Sequence, residues 1–147
     1  MEGLVPEHSG INLFDSDWKI YSRNSGMTGH RICRGAVVEN SMITDGCHVE
    51  GTVKHSILFA GVRVEAGAKV EDAVVMGGTV IKAGAVVEHC IVAENAVIGE
   101  NAVVGAMPSE SENGVATVGP GVYIGDGAKI GPHAMVKNNV KGGEEQW

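Results

Sequence analysis

The chain has 147 residues, carries a net charge of −7 and contains 22 glycines. This length allows one domain, and an acidic chain with only 11 Lys and Arg residues is a poor candidate for a nucleic-acid binder. Aromatic residues make up only 4% of the chain, which argues against an ordinary layered core built on large side chains.

Several features indicate a cytoplasmic protein with no membrane partner. No apolar run approaches the roughly 20 residues that a membrane-spanning helix needs. Residues 1–10 lack an apolar core, so we expect no signal peptide. Cys33, Cys47 and Cys90 are odd in number and widely spaced, which fits a reducing compartment better than a disulfide framework.

Composition divides the chain into three regions. Residues 1–29 form a mixed, non-repeating lead-in, which contains the sequence GINLFDSDWKIY at 10–21. Residues 30–137 are repetitive, apart from a polar break at 105–114 (GAMPSESENG). Residues 138–147 form a polar tail. Extra residues in repeat proteins normally form a surface loop. We therefore expect the break to form such a loop outside the coil, with the stack of coils continuing on both sides.

The repetitive region has a period of five or six residues, set by its aliphatic side chains, with one step of nine between Val49 and Leu58. They are Val38, Ile43, Val49, Leu58, Val64, Val70, Val75, Ile81, Val87, Val92, Ile98 and Val104, and after the break Val118, Ile124, Ile130 and Val136. A helix would repeat at about 3.6 residues and a strand at about 2, so neither alone explains the spacing.

Each repeat has the same internal order. Two residues before the aliphatic the side chain is usually small, as at Ala68 or Cys90, and three residues before it the position is nearly always Gly, Asn, Asp or His. The latter types enter positive φ most readily, which predicts a corner followed by a short strand with the small and aliphatic residues inward. Segments 39–43, 54–58, 71–75 and 88–92 align at intervals of 15 or 17 residues. Three corners per coil describe a triangular prism of stacked parallel strands.

This pattern resembles the hexapeptide repeat, which implies an all-β fold, a left-handed parallel β-helix. Residues 10–21 are similar to the segment that joins the two domains of bacterial ADP-glucose pyrophosphorylase (glucose-1-phosphate adenylyltransferase). Residues 40–47 (NSMITDGC) and 56–64 (SILFAGVRV) resemble that family's NSLISEGC and SVLFPGVRV patterns. The resemblance covers most of the chain but only the C-terminal third of such an enzyme.

The resemblance implies an oligomerisation or regulatory domain. The family transfers a nucleotidyl group from ATP to glucose 1-phosphate, giving ADP-glucose and pyrophosphate for glycogen synthesis. Its catalytic half holds ATP and Mg²⁺ with a Gly-rich loop and acidic residues, and nothing in this sequence matches them. We therefore expect no catalytic residue, cofactor or metal in this chain, and partners that are its own catalytic domain, other subunits and a sugar-phosphate or AMP effector.

Two other functions compete with this interpretation. A stand-alone hexapeptide acyltransferase would use one histidine as general base, with His133 the best candidate and the break as a coenzyme A loop. Glu110 and Glu112 in that break suit an anionic cofactor poorly. A purely structural interaction domain is the third possibility.

Three groups of side chains are candidates for particular roles. Arg23, Arg31 and Arg34 form the only basic cluster of the sequence, and Arg suits bidentate phosphate contacts, so they are the candidate effector site. His55, His89 and His133 occupy corner slots and are expected to be turn residues. Cys47 and Cys90 fill the small inward slot and are expected to be buried, inert thiols.

The register also predicts an apolar stripe on the outside of one face. Its residues stand between the inward slots or directly after them: Met42, Ile57, Phe59, Val74, Met76 and Ile91. Large exposed apolar patches usually mark interfaces. We therefore expect the stripe to be covered by the lead-in with Phe14 and Trp18, by a catalytic domain, or by a second subunit.

Overall fold

The computed structural model describes residues 15–19, 21, 24–109 and 113–147. These residues contain nineteen short strands. In chain order they are β1 (Arg31–Ile32), β2 (Val37–Glu39), β3 (Met42–Ile43), β4 (His48–Val49), β5 (Thr52–Lys54), β6 (Ile57–Leu58), β7 (Arg63–Val64), β8 (Lys69–Glu71), β9 (Val74–Val75), β10 (Val80–Ile81), β11 (Val86–Glu88), β12 (Cys90–Val92), β13 (Val97–Ile98), β14 (Val103–Val104), β15 (Ala116–Val118), β16 (Tyr123–Ile124), β17 (Lys129–Ile130), β18 (Met135–Val136) and β19 (Glu145–Gln146). No helix among the described residues is long and apolar enough to cross a membrane.

The strands form three parallel sheets, and as far as β18 every third strand belongs to the same sheet. Sheet A has the order β1-β4-β7-β10-β13-β16, sheet B has β2-β5-β8-β11-β14-β17-β19, and sheet C has β3-β6-β9-β12-β15-β18. Consecutive coils therefore stack strand on strand, and the fold is a parallel β-helix of about seven turns. The predicted triangular prism is confirmed.

The inward slots of the repeat form one continuous core. The aliphatic slot is fully buried from Val49 onward, and the small slot is buried at residues such as Cys47, Ala73 and Ala102. Burying one Val or Ile side chain stabilises by about 1.5–3 kcal/mol, but here each coil buries its residues only against the next. The first coil is consequently the weakest part of the stack, since Ile32 is 46% exposed and Val38 and Ile43 are only partly buried.

The corner residues adopt the left-handed backbone that the sequence predicts. Of the Gly, Asn, Asp and His residues in that slot, all but one have positive φ. His133 is the exception: it lies in a turn without positive φ.

The break leaves the prism at the corner between sheets B and C. β14 ends at Val104 and β15 begins at Ala116, yet β15 pairs directly with β12 and β18 pairs with β15. The stack therefore continues past the excursion. At the other end of the chain, Val140 is buried and bridges Ile124, and β19 pairs with β17, so residues 138–147 add to the stack despite their polar composition.

Candidate functional site

The predicted apolar stripe lies along the outer surface of sheet C. Met42 pairs with Ile57, Ile57 with Val74, and Val74 with Ile91 in successive parallel registers. Because side chains alternate along a strand and their neighbours point inward, these four side chains share the outer face. Three are partly buried by their own row, and Ile91 is 39% exposed.

Further apolar side chains widen this surface. Phe59, directly after β6, is 47% exposed, and Met76 follows β9 and is partly buried. The row itself continues through Thr117 to Met135, which is 73% exposed. Of the two lead-in aromatics expected to cover the stripe, Trp18 is 75% exposed and Phe14 lies outside the described residues. The role of the stripe as an interface remains a prediction.

A chain of two histidines and one aspartate runs along the neighbouring corner. His55 Nδ1 donates to Asp72 Oδ1 at 3.1 Å, and His89 Nδ1 donates to Asp72 Oδ2 at 2.6 Å. All three residues have left-handed backbone and stand one above another in successive coils between sheets B and C. The shared carboxylate fixes both rings through Nδ1 and leaves each Nε2 atom directed elsewhere. The turn role expected of His55 and His89 is confirmed, and the hydrogen bonds are an addition to it.

A groove of about 440 Å³ opens between this corner and the apolar stripe. Its lining combines the His55–Asp72–His89 chain with Val74 and Ile91 from sheet C, Cys90 and Val115. Among the described residues, His55 Nε2 is buried in this region without a hydrogen-bond partner. The groove therefore offers a polar edge, an apolar wall and one unsatisfied nitrogen, which is the usual make-up of a small-ligand site.

The thiols of the core are inert, as the inward slot predicts. Burial, with smaller contributions from the charges of Asp72 and Glu88, raises the pKa of Cys90 to about 12. Burial also raises the pKa of Cys47, whose thiol donates to the carbonyl of Phe59. Neither side chain supplies a nucleophile to the groove.

His133 lies in the turn before β18 and packs against Gly114. Its side chain is exposed, and its ring packs so tightly on Gly114 that a Cβ there would overlap it. His133 does not line the groove, so the general-base role considered for it gains no support from the geometry.

The structure describes two of the three candidate effector arginines, Arg31 and Arg34, both at the start of the β-helix. Arg23 lies outside the described residues. Arg31 lies in β1, and Arg34 lies in the turn that follows. The register places Arg31 in a row with His48 and Arg63 on the outer face of sheet A. Glu50 stands beside this row; the hydrogen bond from His48 lowers its pKa most, and the charges of Arg63 and Arg31 add to the effect. The negative charge of the Glu50 carboxylate would repel a phosphate bound at this row.

Two groups of neighbouring side chains were not recognised from the sequence, although the length of one coil predicts that they stack. His55, Asp72 and His89 stand 17 residues apart, so their stacking follows from the coil length. Arg63 joins Arg31 because the intervening steps are 17 and 15 residues. In both cases the coil length, rather than proximity in sequence, identifies the neighbours.

Comparison with known protein families matches this architecture. A family profile described as the GlmU-like C-terminal hexapeptide matches residues 27–125. The glucose-1-phosphate adenylyltransferases of Bacillus thuringiensis (strain Al Hakam) and Bacillus anthracis are each 48% identical to this chain over 62 residues. That match covers 42% of this chain and 16% of each relative's length.

Solved structures with a similar outline are more distant. The acetyltransferase domain of PglB from Neisseria gonorrhoeae FA1090, in complex with acetyl coenzyme A, is 18% identical with a TM-score of 0.31, covering 79% of this chain and 50% of that one. WeeI from Acinetobacter baumannii AYE is 19% identical with a TM-score of 0.40, covering 75% and 50%. With such scores the two overlap this chain only loosely.

Proposed function

This chain belongs to the GlmU-like C-terminal hexapeptide family, and we propose that it is the docking and assembly domain of a cytoplasmic glucose-1-phosphate adenylyltransferase. In that enzyme the catalytic domain, outside this chain, would bind ATP, Mg²⁺ and glucose 1-phosphate and release ADP-glucose and pyrophosphate for glycogen synthesis. The 48% identity to the Bacillus enzymes over 62 residues supports the assignment. This chain's own part would be to hold the catalytic domain and neighbouring subunits.

The observation that carries this proposal is the apolar row on sheet C. Met42, Ile57, Val74 and Ile91 extend over four coils, and exposed Phe59 lies beside them. The equivalent row on sheet A begins with Arg31, His48 and Arg63. In the first three coils the two faces thus differ in polarity, since the sheet A row becomes apolar only from Val80 onward. The face that is apolar in these coils is the one suited to a dry contact with another domain or subunit.

A chimera tests the proposal directly. The C-terminal hexapeptide part of the Bacillus anthracis enzyme is replaced by residues 27–147 of this chain, and ADP-glucose formation and molecular mass are measured. We expect an active, assembled chimera. The double substitution Ile57→Lys and Val74→Lys should then reduce assembly or activity, because two charges would enter the contact.

A matched pair of substitutions on sheet A provides the control. Val80→Lys and Val97→Lys alter two paired, outward, partly buried valines on the row that is not expected to dock. We expect this variant to assemble as the unsubstituted chimera does. Equal effects of the two pairs, or a chimera with no activity even though its β-helix is folded, would contradict the proposal. The 147-residue chain alone should release no pyrophosphate from ATP and glucose 1-phosphate.

The groove favours one second candidate, acyl transfer from a thioester. His55 and His89 are oriented by Asp72, and the unpartnered Nε2 of His55 could accept the proton of an attacking amine or hydroxyl. Calorimetric titration with acetyl coenzyme A tests this, comparing the unsubstituted chain with His55→Asn, which tolerates the left-handed backbone. Absence of binding would remove this candidate without affecting the first.

A further inference from the structure

Three side chains of different chemistry meet on the outside of the first two coils. The register aligns Ile32 with Val49, so Cys33 and Glu50 occupy the same slot one coil apart. His48 stands two residues before Glu50 and therefore points the same way. The thiol, the imidazole and the carboxylate thus project together at the end of β1 and β4. His55, by contrast, lies at another corner of the prism.

The distances among these groups are those of a ligand set. His48 Nε2 lies 3.4 Å from Cys33 Sγ and 2.8 Å from Glu50 Oε1, and the three ligand atoms all lie within 4.8 Å of one another. Around a tetrahedral Zn²⁺ with ordinary bond lengths, ligand atoms stand about 3.2–3.7 Å apart. The imidazole–thiol distance already has this value, and the imidazole–carboxylate pair would open by about half an ångström.

We propose that Cys33, His48 and Glu50 form a binding site for a borderline-soft divalent cation of the Zn²⁺ type. The donor set of sulfur, nitrogen and oxygen selects against Mg²⁺ and Ca²⁺, which take oxygen ligands. Three protein ligands leave the fourth tetrahedral position for water. This inference does not depend on the proposed function.

The charges around the site are compatible with a bound dication. A thiolate and a carboxylate together neutralise two positive charges, and metal binding itself releases the thiol proton. The flanking side chains of Arg31 and Arg63 oppose a cation, but both are exposed to solvent, so salt screens their effect.

The position of the site gives it a structural role. It would tie the first coil to the second where the core is thinnest, since Ile32 is 46% exposed and Ala36, Val38 and Ile43 are only partly buried. A ligand that binds only the native state raises its stability. Binding should therefore slow hydrogen exchange first at the amides of Arg31 and Cys33, which donate to Cys47 and Val49.

The simplest competing account is a partly buried His48–Glu50 ion pair with a thiol lying beside it by chance. Titration of the full chain with Co²⁺ distinguishes the two, because a thiolate ligand gives a charge-transfer band and tetrahedral cobalt gives intense visible bands. The titration uses the Cys47→Ala and Cys90→Ala background, which leaves Cys33 as the only thiol. Alanine fills the same inward slot in other coils, so this background should fold.

We expect a band that saturates at one Co²⁺ per chain and is displaced by Zn²⁺, with Zn²⁺ also slowing alkylation of Cys33. Cys33→Ser should abolish the thiolate band, and His48→Gln and Glu50→Gln should each weaken binding at least tenfold. Asp45→Asn, an exposed carboxylate at another corner, should change nothing. Absence of the band in folded protein, or a band unaffected by both His48→Gln and Glu50→Gln, would overturn the proposal.

Discussion

Asp72 Oδ2 accepts a hydrogen bond from His89 Nδ1 at 2.6 Å, across one coil of the stack. Its other oxygen accepts from His55 Nδ1 of the coil on the opposite side, so one carboxylate links three coils at a single corner. Backbone hydrogen bonds already connect these coils along the sheets. The side-chain contacts add specificity at the corner where the groove opens.

Asp72→Asn tests the contribution of this carboxylate. Asparagine keeps the shape and tolerates the φ of 50°, but it removes the charge that both imidazoles meet. We expect the free energy of unfolding to fall by about 1–2 kcal/mol. The loss is no larger because the three side chains are partly exposed, and solvent weakens their interaction. Urea unfolding measures the change. Asp45→Asn, the same substitution at an exposed corner, should alter stability by less than about 0.5 kcal/mol.

Much of this architecture can be predicted from the sequence, because the inward slots repeat strictly. The outward neighbours Ile57 and Val74 follow from the register alone. The hydrogen bonds of Asp72 cannot be predicted from the register, since they depend on the side-chain torsions of residues 17 positions apart. The proximity of Cys33 and Glu50 cannot be predicted from the sequence either, for a related reason. The first coil lacks a clear repeat before Ile32, so its alignment with the second coil becomes visible only in the structure.

The buried thiol of Cys90 predicts a loss of stability in alkaline solution. Burial raises its native pKa from 9.0 to about 12. Above the unfolded value the unfolded thiol ionises and the native one does not, so stability is fully present below about pH 9 and falls as pH rises toward 12. Between about pH 8 and about pH 10, this group alone should lower the free energy of unfolding by about 1.4 kcal/mol.

Comparison with Cys90→Ala isolates this effect from the other groups that titrate in the same range. Alanine occupies the same slot at Ala73 and Ala116, the neighbours of Cys90 in sheet C. The variant should lack the alkaline loss and so gain stability relative to the unsubstituted chain as pH rises. Denaturant unfolding at each pH measures this difference. Parallel pH curves for the two proteins would show that the thiol ionises without unfolding.

The excursion between β14 and β15 should tolerate shortening. The sheet registers are continuous on both sides of it, so we expect the stacked coils to stay paired when it is shortened. Replacing residues 110–112 by a single glycine should change the free energy of unfolding by no more than about 0.5 kcal/mol. Gly114→Val is the contrasting variant: its side chain would overlap the ring of His133. A loss of about 1–3 kcal/mol is expected there, measured by thermal or denaturant unfolding.

Met27 holds the end of the lead-in against the corner between sheets C and A. A Cβ at Gly46 would lie 2.5 Å from Met27 Sδ, and one at Gly61 would lie 3.2 Å from Met27 Cε. The backbone carbonyl of Thr28 accepts from the amide of Gly46 at 2.7 Å, so residues 27–28 begin the stacking before β1. Gly46 therefore lacks a side chain for two reasons. Its φ of 73° is strained for other residues, and Met27 occupies the space that a Cβ would need.

Substituting two corner glycines separates these two requirements. Gly121→Ala meets nothing within 4 Å at a φ of 66°, so it reports backbone strain alone, about 1–2 kcal/mol. Gly46→Ala carries similar strain and must also displace Met27. We expect Gly46→Ala to be the more destabilising of the two by about 1 kcal/mol, and Met27→Ala to reduce that difference when combined with it. Urea unfolding of the unsubstituted chain, the three single variants and the double variant measures the coupling. Equal losses for the two glycine variants would mean that Met27 yields freely, and that the lead-in is not anchored at this corner.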